Sequence, residues 1–330
     1  MKNDLYTVDE IREFIREDLP MIIGGDERLL SALPIGKWIG GSIHYFLAEG
    51  GQPIVSETKL FVSFLDKEIF EPTLIKTYTS ENLTDIFDDY PGWGVSFIII
   101  PRLSDCNEAF QFLALESSEL LKSPLIGWVS GAMLDSETPP MVINGSTGNK
   151  FINEVVVMHC SIPENMTPNV DIINVFEPDD NGPQIKFEKN TKRVSDAIVN
   201  GEKKNLYDYL IETYQKIDLT QPLIANIGGS TLNTSIIEID EKNKTLLFGN
   251  AISKNLTYQL SKPVENFTEK FMGEIDKIDG HVQFSCNCLG NFLHGGFKGK
   301  SSEKLNGLMT FGEIAYLPLN RTMVTLTISE

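Results

Sequence analysis

Residues 281–328 read HVQFSCNCLGNFLHGGFKGKSSEKLNGLMTFGEIAYLPLNRTMVTLTI and form the most informative part of this chain. The pattern predicts a strand, a loop with a short helix, a second strand, a turn and a closing strand. The turn lies at Gly312-Glu313, and the closing strand follows Asn320-Arg321. A carboxylate and several glycines therefore lie where two strands converge, without a recognisable catalytic signature. This combination favours a protein that holds a small molecule over one that transforms it.

The length and composition of the chain allow two domains with large cores. The chain has 330 residues, of which 41% are hydrophobic, and this length corresponds to about two domains. The composition shifts to Pro, Asn and Thr at Pro163–Pro168, where we place a boundary between domains 1–168 and 169–330. We expect an α+β fold with mixed β-sheets covered by helices, in two domains of related size. A four-layer sandwich is one such arrangement.

The charge of the chain excludes two classes of partner. The chain carries 28 basic and 46 acidic residues, a formal net charge of −18, whereas nucleic acid and anionic membranes require a basic surface. No apolar run approaches the roughly 18 residues of a membrane-spanning helix, and the N-terminus lacks the pattern of a signal peptide. Four cysteines do not make a disulfide scaffold in a chain of this length. We therefore expect a reduced, cytoplasmic protein that is not inserted in a membrane.

Hydrophobic periodicity predicts a buried central strand and the main helices. Val95–Ile100 almost lacks polar residues, which indicates a strand covered on both faces. A helix over 105–121 and a strand at Leu125–Ser130 complete a crossover unit, which is right-handed if the two strands are parallel. Amphipathic patterns predict two further helices over 203–217 and 264–275.

The second half of the chain resembles the FIST family of bacterial intracellular sensory domains. The resemblance rests on Phe284-Ser285-Cys286 at the end of a strand, on Gly307–Ala315, which is close to the family's G-x-x-x-x-G-E-I pattern, and on Asn320-x-Thr322. It implies a domain that binds a small ligand, such as an amino acid, and acts in signal transduction. Because such domains sit beside an output domain, for which this chain has no residues left, it also implies a separate signalling partner. Whether the chain forms a homodimer stays open.

The candidate ligand site lies around Gly312-Glu313. A glycine lets the backbone approach a ligand, and a carboxylate accepts hydrogen bonds from an ammonium or amide group. The alternative for Glu313 is a turn carboxylate satisfied by backbone N–H groups. Asn320 and Arg321 complete the polar pocket, with Arg321 pairing a ligand carboxylate in bidentate fashion. The alternative for Arg321 is an ion pair at the end of a solvated strand.

A second part of the expected pocket is the glycine-containing strand at 40–45. Gly41 lies in this strand and His44 follows the glycine pair, so His44 would contact the ligand or supply an axial nitrogen to haem. The alternative is a histidine packed and hydrogen-bonded in the core. The chain has no C-x-x-C-H motif, which excludes covalent c-type haem. With the loop at 284–296, this strand would close the pocket between the two domains.

Cys286 and Cys288 are two residues apart, so both side chains face one side of a strand. With His281 and His294 they form the pattern H-x4-C-x-C-x5-H. This is not a standard zinc spacing, because the two thiols of C-x-C in a strand splay apart. Three interpretations stay open: structural cysteines in the core, a metal site, and a reactive thiol. A reactive thiol needs a lowered pKa, which His294 would supply if its loop folds back.

Three functions follow from these residues. The first is a cytoplasmic ligand-binding sensor without its own output domain. The second is a thiol-dependent enzyme that uses Cys286 or Cys288, and the third is a haem-based or metal-based gas or redox sensor. The chain lacks the G-x-x-x-x-G-K-[ST], G-x-G-x-x-G, G-x-S-x-G and H-E-x-x-H motifs, which excludes the commonest recognisable enzymes. We expect the first function, with the ligand unidentified.

Overall fold

The computed structural model describes residues 1–227, 230–294 and 302–330, with only the backbone described at Ser230, His294 and Glu303. Within these residues the helices are α1 (Val8–Arg16), α2 (Glu27–Leu30), α3 (Asp85–Asp88), α4 (Asp105–Glu116), α5 (Leu206–Tyr214), α6 (Phe267–Asp276) and α7 (Leu289–His294). Two short 3-10 turns lie at Ser118–Leu121 and Glu303–Leu305. None of these described helices has the length and apolar composition needed to cross a membrane.

Strands make up more of the chain than helices do. The strands before residue 168 are β1 (Asp4–Tyr6), β2 (Met21–Gly25), β3 (Trp38–Ser42), β4 (Tyr45–Ala48), β5 (Gln52–Val55), β6 (Leu60–Phe64), β7 (Glu71–Tyr78), β8 (Gly94–Pro101), β9 (Leu125–Ser130), β10 (Val142–Asn144), β11 (Asn149–Phe151) and β12 (Val155–Ser161). The strand across that position is β13 (Thr167–Ile173). The later strands are β14 (Ile185–Lys186), β15 (Thr191–Val194), β16 (Asp196–Val199), β17 (Glu202–Asn205), β18 (Leu223–Ile227), β19 (Ser230–Thr234), β20 (Ile236–Asp240), β21 (Thr245–Ile252), β22 (Tyr258–Leu260), β23 (Val282–Cys288), β24 (Gly307–Thr310), β25 (Glu313–Ala315), β26 (Leu317–Leu319) and β27 (Met323–Ser329).

The described strands form five sheets. Sheet 1 has the order β1-β6-β2-β3-β10-β11, and sheet 2 has the order β26-β25-β9-β8-β12-β7. Sheet 3 has the order β13-β27-β23-β24-β4-β5. Sheet 4 has the order β17-β16-β14-β22-β18-β19, and sheet 5 has the order β15-β21-β20. Parallel pairs β2/β3, β8/β9 and β23/β24 occur among antiparallel ones in sheets 1, 2 and 3, which are therefore mixed, as predicted, whereas all described pairs of sheets 4 and 5 are antiparallel.

Four layers build the larger part of the molecule. Sheets 1 and 2 face each other through one apolar cluster that includes Ile39 of β3 and Ile99 of β8. The other face of sheet 1 packs on α1 and α2 through a cluster containing Ile11. The other face of sheet 2 packs on α3 and α4 through Ile98 and Phe110. The order helix, sheet, sheet, helix confirms the four-layer arrangement, which follows because each sheet buries both of its faces.

The predicted crossover unit is present. All eight residues of β8 are buried, and β8 runs parallel to β9 with Ile98 opposite Gly127. Helix α4 connects the two strands and begins at Ser104, whose side chain accepts a hydrogen bond from Asn107 N, the usual arrangement for a serine N-cap. The run of apolar residues at 95–100 is therefore explained, because β8 is covered by a layer on each of its two faces.

Strands from both ends of the chain share two sheets. In sheet 3, Gly307 of β24 pairs with Leu47 of β4. In sheet 2, Glu313 of β25 pairs with Trp128 of β9. The predicted boundary at 168/169 is therefore not confirmed as a division between separate folding units, because cutting there would separate strands that hydrogen-bond to each other.

Sheets 4 and 5 and helix α5 enclose a smaller core of their own. Its aromatic centre is Phe187, Phe248 and Tyr258, and Leu210 of α5 packs on it. This part contacts the four layers through α4, where Ala251 N donates a 3.0 Å hydrogen bond to Gln111 Oε1. The contact places sheet 5 opposite the N-terminal turn of α4 and leaves a cavity between them.

Candidate functional site

A cavity of about 980 Å³ lies between α4, sheet 5 and the turn that joins β23 to α7. Its wall also contains the end of β24, at Thr310, and the residues between β26 and β27, at Asn320 and Arg321. Asn320 and Arg321, which the sequence predicts as pocket residues, both line this cavity. The volume is at the upper end of what small-molecule sites enclose.

Arg321 is a buried cation on the cavity wall. The residue is only 6% exposed and has a φ of 59°, a conformation that is uncommon for a bulky side chain. Its Nη2 donates a 3.3 Å hydrogen bond to the Thr220 carbonyl, and its guanidinium lies 5.3 Å from the centre of the Phe176 ring. Its buried Nε has no hydrogen-bond partner. Burial lowers the pKa of Arg321, because desolvation penalises the charged form.

The position of Arg321 depends on a glycine in α7. A Cβ on Gly290 would lie 2.7 Å from Arg321 Nη1 and 3.1 Å from its Cδ, so any other residue would displace the guanidinium. Among the described residues Arg321 has no ion pair with a carboxylate; its guanidinium contacts the Thr220 carbonyl and the Phe176 ring. The predicted alternative, a solvated ion pair at a strand end, is therefore wrong.

Glu313 lies directly behind the wall and is 0% exposed. Thr322 donates to its Oε2 from the backbone N at 3.2 Å and from Oγ1 at 2.9 Å. Thr310 Oγ1 lies 3.3 Å from the other carboxyl oxygen. Burial outweighs these hydrogen bonds and raises the pKa of Glu313 to about 8. At neutral pH the group is therefore mostly a neutral acid rather than a carboxylate.

Gly312 precedes this acid and joins two sheets. Its carbonyl accepts hydrogen bonds from Val129 N at 2.8 Å and from Thr310 Oγ1 at 3.2 Å. Neither Gly312 nor Glu313 lines the cavity. The structure therefore places the predicted glycine and acid behind the wall of this cavity and not on it. They lie one layer behind the Asn320 and Arg321 side chains because β25 is paired within sheet 2.

Cys288 connects the acid to the cavity. It is the last residue of β23, the next residue begins α7, and it lines the cavity. Burial, followed by the nearby Glu313, raises the pKa of Cys288 to about 12. Glu313 lies close enough to the thiol for its charge to contribute to this raised pKa, whereas the nearby Arg321 acts in the opposite direction. The thiol is therefore neutral in the unliganded protein.

Cys286 faces the same side of β23 but lies in the core. Its Sγ is 3.2 Å from the Gly127 carbonyl of β9, and burial raises its pKa well above the usual range. Cys286 does not line the cavity and is fully buried, as expected of a structural cysteine in the core. Its partner Cys288 is the residue of the pair that reaches the cavity.

The predicted metal pattern does not converge. His281 is exposed just before β23, whereas Cys288 ends that strand, so the strand length separates them. The side chain of His294 lies outside the described residues. Among the side chains that are described, the only group of three with metal-ligand atoms in reach is Asp26, Glu27 and His44.

His44 belongs to that separate cluster and does not line the cavity. Its Nε2 lies 3.5 Å from Asp26 and 3.9 Å from Glu27. Arg28 donates to Asp26 from Nε at 2.9 Å and from Nη2 at 2.6 Å, and this hydrogen-bonded arginine lowers the pKa of Asp26 to about 2. A guanidinium already neutralises the carboxylate, so the cluster is not arranged as a cation site.

Gly41 also lies away from the cavity. A Cβ there would be 2.7 Å from Ile99 Cγ2 and 3.1 Å from Ser130 Cβ. The glycine therefore permits the close approach of sheets 1 and 2. The structure does not bring the strand at 40–45 to this cavity, because that strand is enclosed between layers.

Three cations on the cavity wall are not among the predicted site residues; one of them, Arg193, pairs with Glu238, and the other two are Arg102 and Lys192. Arg102 lies with its guanidinium 4.5 Å from the centre of the Phe311 ring, and Lys192 lies on β15 across the cavity. Burial lowers the pKa of both. The sequence does contain a signal for Arg102, since it follows the buried strand β8, and ligands collect beyond the carboxyl ends of parallel strands. Lys192 has no comparable signal.

Comparison with family models assigns the chain. The model of a family of unknown function, DUF6976, matches residues 6–329. The chain belongs to DUF6976. No curated protein and no solved structure matches this DUF6976 chain. The resemblance to FIST domains therefore stays a prediction.

Proposed function

We propose that this DUF6976 protein binds a small anionic molecule in the 980 Å³ cavity, with Arg321 as its main contact. The observation that carries the proposal is the Nε of Arg321, a donor on a side chain only 6% exposed that has no partner. Buried donors are almost always hydrogen-bonded in native proteins. An oxyanion bound at the guanidinium would provide the missing acceptor.

The balance of charge at the cavity supports an anion. Four cations line the cavity, Arg102, Lys192, Arg193 and Arg321, against three carboxylates, Asp105, Glu108 and Glu238. Arg193 pairs with Glu238, whereas Arg102, Lys192 and Arg321, which are buried or partly buried, have no ion pair among those described. Taking a cation out of water without a partner is costly. A carboxylate or phosphate would offset this cost, because arginine forms short, charge-assisted hydrogen bonds with both.

The sensory role that the FIST resemblance implies is compatible with this site. An amino acid or another acidic metabolite would direct its carboxylate to Arg321 and its remaining atoms towards Asn320. The four cysteines are free thiols, which supports a reducing compartment such as the cytoplasm. On this proposal the bound and free forms would be distinguished by a signalling protein or by a second copy of the chain.

Isothermal titration calorimetry tests the proposal with acetate, succinate, inorganic phosphate and the acidic amino acids. We expect at least one of these to bind, and we expect Arg321→Met to weaken that binding roughly 10- to 100-fold, the effect of losing a charge-assisted contact. Arg16→Met is the matched control, because Arg16 is 69% exposed on α1. Equal affinity in wild type and Arg321→Met would contradict the proposal.

A second candidate function is acyl transfer to Cys288. The specific observation in its favour is the position of the Cys288 thiol on the cavity wall, with the Glu313 carboxyl group nearby. In such a step the Cys288 sulfur would form a bond with an acyl carbon, Glu313 would accept the thiol proton, and the leaving group would depart with that proton.

Alkylation by iodoacetamide, followed by intact mass, tests this candidate. If Glu313 accepts the thiol proton, the rate at Cys288 rises near pH 8, the pKa of Glu313, and the rise disappears in Glu313→Gln. Cys286→Ser is the control for labelling of the neighbouring thiol. Uniformly slow alkylation that follows only the raised pKa of about 12 of Cys288 would remove the candidate.

A further inference from the structure

Five aliphatic side chains surround the mouth of the cavity and are strongly exposed. They come from separate segments of the chain and all line the cavity: Leu103, Leu134, Leu219, Ile237 and Leu293. Their exposures are 84%, 50%, 45%, 46% and 49% in that order. A single exposed leucine requires no explanation, whereas several around one opening indicate a surface that binds something apolar.

Leu103 is the clearest of the five. It has a φ of 62°, which bulky residues rarely adopt, and it projects its side chain almost wholly into solvent. The preceding residue, Arg102, turns inwards to the Phe311 ring. The left-handed turn therefore directs a cation into the cavity and an aliphatic side chain to its mouth.

Charge and apolar surface lie at different depths. Arg321 and Cys288 are buried at 6% and 8% exposure, so they lie on the floor of the cavity. The exposed aliphatic side chains lie where the cavity meets solvent. A ligand that satisfies both levels has one charged end and one apolar end.

We propose that the ligand is an amphiphilic anion, an oxyanion head group on an aliphatic chain. The head group, a carboxylate or phosphate, lies at Arg321, with Arg102 and Lys192 nearby. The aliphatic chain runs outwards and covers Leu103, Leu219 and their neighbours. This inference rests on the proposed anion binding and specifies the class of ligand for the same site.

Other occupants of the apolar ring fit the charges less well. A protein partner that covers the mouth has no need of three cations beneath it. A membrane surface with anionic lipids is disfavoured, because the net charge of the chain is −18. The volume of about 980 Å³ suits a single amphiphile of medium length, since small-molecule sites span about 300–1,000 Å³.

A homologous series of ligands tests the proposal. Butyrate, hexanoate, octanoate, decanoate and dodecanoate, and the matching alkyl phosphates, are titrated below their critical micelle concentrations. We expect the dissociation constant to fall about fourfold for each methylene that is buried, until the chain reaches the mouth of the cavity. Alkyl trimethylammonium ions of the same lengths are the control for the head group and are expected not to bind.

Variants at the mouth of the cavity separate the contribution of the ligand's aliphatic chain from that of its head group. In the double variant Leu103→Ser, Leu219→Ser we expect decanoate to lose roughly tenfold in affinity, while butyrate keeps its affinity. Leu121→Ser is the matched control, because Leu121 is 55% exposed and does not line the cavity. Substitutions of exposed leucines are expected to leave folding intact.

The outcomes distinguish this inference from the proposed function. Equal affinity for butyrate and dodecanoate would overturn the amphiphile and leave anion binding in place. Failure of every anion, phosphate included, would overturn both. Equal binding of the trimethylammonium series would exclude the anionic head group. Another outcome is dimerisation or vesicle binding that is abolished by Leu103→Ser, Leu219→Ser, without any binding of free amphiphiles. That outcome would assign the exposed aliphatic side chains to a macromolecular interface instead.

Discussion

Two buried polar regions of this molecule have opposite hydrogen-bond balances. In the core between β7, β8 and β12, His159 Nδ1 lies 2.8 Å from Ser96 Oγ and Nε2 lies 2.8 Å from Tyr78 Oη. Tyr78 in turn donates to Asp89 at 2.9 Å, and Lys76 pairs with Asp89 at 2.6 Å. Each polar atom of the histidine has a partner, and the chain of bonds ends at an ion pair near the surface.

The region around Arg321 differs in the property that matters for binding. Burial lowers the pKa of His159 to about 4, just as it lowers the pKa of Arg321. A shifted pKa therefore indicates burial in both places. Of these two groups, Arg321 is the one that combines burial with an unpartnered donor and an adjacent cavity. An incomplete hydrogen-bond network beside a cavity therefore indicates a candidate site better than a shifted pKa does.

The largest expected effect comes from removing the centre of the complete network. His159→Ala leaves the Ser96 and Tyr78 hydroxyls without their histidine partner and creates a cavity in the core. We expect a loss of about 3–5 kcal/mol in the free energy of unfolding, measured by urea denaturation.

His281→Ala is the matched control, because His281 is exposed, and it is expected to change stability by less than about 0.5 kcal/mol. If both alanine variants unfold at the same urea concentration, the network does not stabilise the core and the comparison fails.

The next effect concerns the pH dependence of stability. Burial raises the pKa of Glu313 from its ordinary value of 4.5 to about 8. Between these values the unfolded chain is ionised while the folded protein keeps the proton, so stability falls as pH rises, by at most about 1.4 kcal/mol per unit. The contribution is constant below pH 4.5 and no longer changes above pH 8. The thiol of Cys288, with a pKa of about 12, does not titrate in this window.

Glu313→Gln is expected to remove this slope, because its amide resembles the protonated acid: the oxygen accepts from Thr322 and the nitrogen donates to Thr310. The difference in urea midpoint between the variant and the wild type should therefore grow in favour of the variant from pH 5 to pH 8. Glu137→Gln, at an exposed position, controls for the loss of one charge. A constant difference across this range would mean that Glu313 is ionised in the folded protein.

The smallest expected effect is a gain in stability. Arg321→Met removes a desolvated charge and keeps an apolar side chain of similar length. We expect the unliganded variant to gain about 1 kcal/mol, or roughly 2 °C in melting temperature, measured by differential scanning calorimetry. This gain is expected where a buried arginine lowers the stability of the unliganded protein and is used to bind a ligand.

Arg16→Met again serves as the control, since an exposed ion pair such as Arg16 with Glu13 contributes little. A clear loss of stability in Arg321→Met would indicate a structural arginine and would make the two polar regions alike.

Local features of the fold could be predicted from the sequence, whereas its long-range pairings could not. The absence of polar residues at 95–100 identified a strand buried on both faces, and β8 is that strand. The amphipathic pattern near residue 210 identified α5. The pairing of β24 with β4 could not be predicted from the local sequence. The short apolar sequence of β24 is compatible with pairing to many other strands. The boundary drawn at 168/169 followed composition and missed this pairing.

The candidate site was predictable only in part. Asn320 and Arg321 were predicted to complete a polar pocket beside Gly312-Glu313, with Arg321 as the partner of a ligand carboxylate, and both line the cavity. Gly41 and His44 were assigned to the pocket from a glycine pair that serves the packing of two sheets. The wall contributed by Lys192 could not be predicted, because it depends on how sheet 5 meets α4. That contact involves residues far apart in the chain.

The interior position of β27 has a consequence for biosynthesis. This strand lies between β13 and β23 in sheet 3, and residues 307–319 supply further strands to sheets 2 and 3. While a ribosome is still making these residues, β4, β9 and β13 have open edges, which are prone to pair with other chains. Arg321 is therefore synthesised together with the strands that close these sheets. A chain that binds its ligand through Arg321 is one in which these strands have already paired.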